Sequence, residues 1–216
     1  MDAFWAKDIQ ELFRLERRYS FQKFFELIMA QSGGIFESNS FTGPCEASRT
    51  TITNYLKVLE ATFAVHVIRP FSSRRPNEIT SAPKVYGFDT GFVCHYRGWR
   101  ELRHEDMGYL WEHVVLNEIH AHRQTRDINY WRDKRGHEID FVINKKGNPP
   151  LAIECKWRDE DFDPKNLLIL LRHYENFKPY VVSHNVRHAY SRKYGDFTIK
   201  FINLAELGKI VNGINN

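Results

Sequence analysis

Apolar positions keep a helical period in the first half of the chain and a strand period in much of the second. Trp5, Ile9 and Leu12 stand at i, i+4 and i+7, the spacing of an amphipathic helix. Phe21, Phe24, Phe25 and Ile28 give a second apolar face, which Gly33 and Gly34 bring to a stop. Ser48 suits an N-cap, and behind it Ile52, Leu56 and Leu59 form one stripe. Arg49, Thr50, Thr53, Asn54 and Lys57 fall on the other side of that helix. A short helix near 40–45, a turn and this polar-faced helix read as a helix-turn-helix. Strands at 63–69 and 84–88 follow, joined by the polar link SSRRPNEITSAP, so the segment as a whole reads as a winged helix. Three-helix packing needs the same stripes, and many winged helices bind protein rather than DNA. Contact with DNA through Arg49, Asn54 and Lys57, aided by a basic wing of Arg69, Arg74 and Arg75, therefore stands beside a purely structural reading.

The texture changes near residue 101. In GYLWEHVVLNEIHAHRQ, Leu110, Val114, Val115 and Ile119 lie on one helical side, so residues 108–122 read as a helix. DINYWRD, HEIDFVIN and LAIECKW read as strands separated by the turns KRG and KKGNPP. PKNLLILLRHYENF is helical, with Pro164 in the first turn. PYVVSH and FTIKFIN read as further strands, and LAELGKIV as a closing helix. The order α-β-β-β-α-β defines an α/β domain on a mixed sheet. The expected division is a mainly helical part over 1–100 and the α/β part over 101–216.

Composition adds little to this picture. Hydrophobic residues make up 42% and charged residues 27% of 216, an ordinary globular balance, and the 14% of aromatics can fill a sizeable core. The net charge of +4 is compatible with nucleic acid without selecting it. Cys45, Cys94 and Cys155 are widely spaced and form no CxxC, which suits reduced thiols. No apolar run is long enough for a membrane span and the first residues have no apolar signal core, so the expected location is cytoplasmic.

The chemistry lies in the strands. On strict alternation, Glu154 and Lys156 share one face of IECKW, roughly 6.5–7 Å apart, too far for an ideal direct salt bridge but with room for a metal-bound water between them. Alternation in HEIDFVI puts Ile139, Phe141 and Ile143 on one face, and Asp140 and Val142 on the other. Thirteen residues separate Asp140 from Glu154, the length of a turn and an adjacent strand. If those strands pair, the three groups converge. Two carboxylates offer hard oxygen ligands to Mg²⁺ or Mn²⁺, and an ammonium beside them can act on a water and offset developing charge. The bland alternative is a solvated charged face on an edge strand.

Asp140 followed by Glu154-Cys155-Lys156 resembles the D…(D/E)-x-K signature of PD-(D/E)XK nucleases, which have the restriction-endonuclease-like fold. Ile139 stands where that signature has proline. Members often add a helix glutamate to the metal site; Glu112 is the first choice here and Glu118 the second. The resemblance implies that Asp140, Glu154, Glu112 and the carbonyl of Cys155 hold metal while Lys156 works on the water. More widely, SAPKVYGFDTGF, GYLWEHVVLNEI, YWRDKRGHEIDFVI and LAIECKW resemble the C-terminal half of a prokaryotic AAA+ ATPase family. Its members join an ATPase to a winged helix and a PD-(D/E)XK-like domain. No G-x-x-x-x-G-K-[ST] occurs here, so ATP binding does not carry over. The expected function is Mg²⁺- or Mn²⁺-dependent cleavage of nucleic acid, with DNA the expected partner. The alternative is an inactive DNA- or protein-binding module of such an ATPase.

Other motifs read as structural. His113, His120 and His122 share a helix without HExxH spacing, which argues against zinc. Asp89 in FDTGF suits a turn or a helix entry. Trp131 and Trp157 suit core packing, and Arg135 and His137 suit phosphate or solvent.

Overall fold

The computed structural model describes residues 17–71, 82–123, 128–144, 147–174 and 176–213. The expected helix around Trp5, Ile9 and Leu12 lies outside the described residues, as do Arg74 and Arg75. Among the described residues the chain is α/β and divides into two compact units. One takes 17–67 and 82–101, the other 68–71 and 102–213. No helix among the described residues is long and apolar enough to cross a membrane.

In the first unit, helix α1 (Arg18–Ala30) buries Phe21, Phe24, Phe25 and Ile28, the expected face. The rings meet mostly edge to face: Phe24 lies 5.3 Å from Phe41, and Phe21 lies 5.0 Å from Tyr55. Strand β1 (Gly34–Ile35) pairs antiparallel with β3 (Lys84–Gly87). Between them come α2 (Ser38–Thr42), α3 (Arg49–Ala61) and β2 (Val65–Pro70). The Ser48 hydroxyl accepts from Thr51 N–H at 3.1 Å, the expected cap. Ile52, Leu56 and Leu59 are buried, while Arg49, Asn54 and Lys57 are exposed. Ser48→Ala should cost about 1 kcal/mol through loss of that cap, read as a fall of roughly 2–4 °C in the unfolding midpoint. Helix α4 (Thr90–Arg97) starts at Asp89, whose carboxylate accepts from Gly91 N–H at 2.7 Å. Asp89 is thus a helix cap.

The second unit is built on a mixed sheet. Its elements are α5 (His104–His122), β4 (Ile128–Arg132), β5 (Glu138–Ile143), β6 (Leu151–Lys156), α6 (Lys165–His173), β7 (Lys178–Ser183), β8 (Tyr190–Tyr194), β9 (Phe197–Ile202) and α7 (Leu204–Gly213). The strand order is β2-β4-β5-β6-β7-β9-β8, with β2 represented by its last residues. The β4-β5 and β5-β6 pairs are antiparallel, whereas β6-β7 and β7-β9 are parallel. Helix α6 is the crossover that parallel pairing of β6 and β7 requires. It packs Leu167, Leu170 and Leu171 into a cluster with Val142, Ala152, Val181 and Phe201.

Helix α5 begins four residues before the expected 108, where Asp106 Oδ2 accepts from Arg103 N–H at 2.9 Å. Its buried stripe runs through Leu110, Trp111, Val115, Leu116 and Ile119. Val114, expected on that stripe, is 36% exposed. Trp111 explains the rotation. Its indole N–H donates to Val182 O at 2.9 Å and ties the helix to β7. Cys45 and Cys155 are buried free thiols.

Candidate functional site

The β4-β5 hairpin decides where Asp140 sits. Asn129 pairs with Val142 and Trp131 with Ile139, so two steps on β4 match three on β5. The extra residue is a β-bulge, the device by which a strand re-aims a side chain. It overturns the strict alternation expected for HEIDFVI. Ile139 falls with Val142 and Trp131 in one core cluster, not with Phe141 and Ile143. The turn beside the bulge is held by Asp133, which accepts from Arg135 N–H at 2.8 Å and His137 N–H at 3.0 Å. His137 Nδ1 lies 2.7 Å from the other Asp133 oxygen, so His137 works in the hairpin. Hydrogen bonds from His137 hold the Asp133 carboxyl below its ordinary pKa.

On its other side β5 pairs with β6 from Ile143↔Leu151 to Phe141↔Ile153, and no further. Beyond that point a side chain takes over the ladder. Asp140 Oδ2 accepts the backbone N–H of Cys155 at 2.7 Å. The splayed strand ends therefore leave a carboxylate seated against β6, between Glu154 and Lys156 in sequence. Lys156 Nζ lies 3.4 Å from Glu154 Oε2, a direct ion pair where the strand spacing alone leads one to expect none, because the long lysine side chain reaches back along the strand. Asp140 is 9% exposed and Glu154 4% exposed, while the Lys156 side chain keeps 31%.

Two acids and one base do not balance in such a place. Burial pushes the Glu154 carboxyl well above the usual carboxylate range. The charge of Asp140 and a hydrogen bond with it add to that, and Lys156 only partly offsets it. Glu154 is thus biased toward its protonated form. Burial works against the Lys156 ammonium, but Asp140 and Glu154 outweigh it and raise its pKa above the ordinary value. Burial raises the Cys155 thiol too, and Asp140 and Glu112 are the next causes.

That last effect is how Glu112 enters the site: the half-buried carboxylate on α5 contributes its charge at Cys155. Glu118 is occupied elsewhere. It lies 2.9 Å from His122 Nε2, beside Gly208 of α7, and His122 also meets Asn212 at 2.8 Å. Among the described residues no group of three or more His, Cys, Asp or Glu is gathered as a metal site. The carboxylate donors brought together are Asp140 and Glu154. Two buried carboxyls, one of them biased toward its protonated form, suit a hard divalent cation, because the cation can take the proton's place.

The rim was harder to read from sequence. Trp157 and His184 stack with centroids 3.6 Å apart, and Trp111 meets Trp157 edge-on at 5.7 Å. Trp131 is core, as expected, and Trp157 is half-buried. A 3-10 turn at Asp159–Asp161 follows β6. Asp159 accepts from the Tyr190 hydroxyl and from Asn185 Nδ2 at 2.8 Å, which fixes the loop beyond Lys156 to β8. His113 is buried with Nδ1 3.0 Å from Tyr109 O. Arg69 lies in β2, where its carbonyl accepts from Asn129 Nδ2.

Comparisons with known proteins divide the chain as two matches. Residues 1–103 match a family model described as a domain of unknown function (DUF8612). Residues 107–207 match a second, also described as a domain of unknown function (DUF4143). The uncharacterized proteins Rv2008c of Mycobacterium tuberculosis and Mb2031c of Mycobacterium bovis are each 22% identical over 151 residues. The match takes 68% of this chain and 34% of each relative, so the chain spans about a third of their length. Among solved structures, a half-complex of Thermococcus gammatolerans McrB AAA+ hexamers with bound McrC is similar at 10% identity and a TM-score of 0.32. That match covers 91% of this chain and 53% of the other.

Proposed function

We propose that the second unit is a PD-(D/E)XK-type phosphodiesterase that hydrolyses nucleic acid, DNA first among its substrates. The observation that carries the reading is the broken ladder: Asp140, set in a bulge, replaces a backbone acceptor for Cys155 N–H beside Glu154 and Lys156. A surface ion pair needs neither burial nor a bulge. In this reading Asp140 and Glu154 would hold Mg²⁺ or Mn²⁺, with the Cys155 carbonyl and Glu112 as further candidates. When bound, the cation would supply a more acidic water and charge neutralisation at the phosphate.

The chain's own residues have separable parts. Cys155 N–H fixes Asp140. Lys156, kept charged by two acids, donates toward water or a phosphate oxygen and does not take up a proton. The Asp133 turn and the Trp111 anchor set the distances between those groups. Arg49, Asn54 and Lys57 form an exposed polar face on α3 that suits contact with DNA. The sequence resemblance makes an AAA+ ATPase domain the matching protein partner.

One observation favours a second reading, an inactive DNA- or protein-binding module of such an ATPase: no third acid is gathered with Asp140 and Glu154 among the described residues. Calorimetric titration with Mn²⁺ and Mg²⁺, run beside cleavage assays on single-stranded, duplex and branched DNA, separates the two. Saturable binding of about one ion with metal-dependent cleavage is the expected result. DNA or protein binding without either overturns the nuclease reading.

A further inference from the structure

Ser183 ends β7 and is fully buried, at 0% exposure. Its Oγ has no hydrogen-bond partner among the described residues. A buried hydroxyl left so costs about 1–3 kcal/mol and calls for a reason. Its place supplies one. In the parallel β6-β7 ladder Glu154 stands opposite Val181, and Lys156 stands opposite Ser183. Residues in register on neighbouring strands project to the same face, with backbones about 4.8 Å apart. Along that face β6 runs Ala152, Glu154, Lys156, and β7 runs Pro179, Val181, Ser183. Ala152 and Val181 belong to the core cluster under α6. Both strands thus turn from apolar to polar toward the same end. Replacing Ser183 with Ala would fill that position without an orphaned oxygen, so the fold alone does not ask for serine.

We propose that Ser183 is a positioning residue of this site, holding a water that bridges it to Lys156. Lys156 Nζ donates to the water oxygen, and the water donates to Ser183 Oγ. The bridge fixes the ammonium between Glu154 and the incoming phosphate. The catalytic part of this inference rests on the nuclease reading above; the bridging water does not.

The test has two arms. A high-resolution crystal structure of the metal-free protein should show solvent within hydrogen-bond distance of both Ser183 Oγ and Lys156 Nζ, and Ser183→Ala should lack it. In cleavage assays Ser183→Ala should lower kcat roughly 10- to 100-fold with little change in KM, as loss of an orienting partner does. Ser183→Thr, checked for an unchanged melting temperature, should restore much of it. A structural hydroxyl predicts the opposite: equal kcat and equal or higher stability in Ser183→Ala. Absence of the water, or an unchanged kcat, overturns the proposal. A wild-type protein that cuts nothing overturns the nuclease reading instead, and the crystallographic arm then decides the water bridge by itself.

Discussion

Asp140→Asn and Lys156→Ala should each lower metal-dependent cleavage by about 10²–10³-fold or more while leaving the fold intact, the scale seen when a preorganised charge is removed. The two losses differ in kind. Asparagine keeps an oxygen that can accept from Cys155 N–H, so the strand geometry survives. What disappears is one negative donor, and with it metal affinity. Calorimetry should show Mn²⁺ binding much weakened in Asp140→Asn. Lys156→Ala removes a positive charge from beside two acids, so Mn²⁺ binding should hold or strengthen while turnover falls. Tight ion binding with no cleavage in Lys156→Ala, against weak binding in Asp140→Asn, is a pattern a surface ion pair does not produce. Equal cleavage by wild type and both variants would assign the activity to a contaminant or to other residues.

Glu112→Gln tests the helix in the same assay. Glu112 already contributes charge at Cys155. If that charge reaches a bound cation, the variant should lose metal affinity, and Glu118→Gln should not. Glu118 is committed to His122 and lies against Gly208.

How much of this was legible in the sequence follows from which forces are local. Helices with a one-sided apolar period were read well: Phe21, Phe24, Phe25 and Ile28 are all buried, and Ser48 caps α3. Period and capping act within a few residues, so they leave a trace in sequence. The Asp140 bulge left none, because it arises from a mismatch between β5 and β4. The expected alternation failed there for that reason. Val114 was misplaced because the rotation of α5 depends on Trp111 reaching Val182 O, a contact 71 residues away. The charges of Asp140, Glu154 and Lys156 were visible as residue types. That Glu154 sits above the usual carboxylate range was not, since burial and a neighbour from another strand cause it. Ser183 carried no signal at all: a serine ending an apolar strand gains meaning only from standing opposite Lys156.

Glu154→Gln should stabilise the metal-free protein, and divalent metal should reverse that ranking. In the wild type the pKa of Glu154 is raised on folding, chiefly by burial and then by Asp140. The folded state therefore holds the proton more tightly than the unfolded chain does. Its contribution to stability is fully present below the unfolded pKa of glutamate, about 4.3, and is lost as pH rises through the higher folded value. Glutamine does not titrate. Its amide N–H₂ can donate to Asp140, and its oxygen can accept from Lys156. The advantage of the variant should thus be small in acid and grow toward neutral pH. There it should show as a higher melting temperature than that of the wild type. Added Mn²⁺ should stabilise the wild type by about 2.7 kcal/mol at a hundredfold excess over Kd, and the variant by far less. Thermal melts across pH, with and without metal, read both effects without any nucleic acid present. A variant less stable than wild type at neutral pH without metal would show that Glu154 is a compensated structural ion, held by Lys156 and not poised to accept a cation.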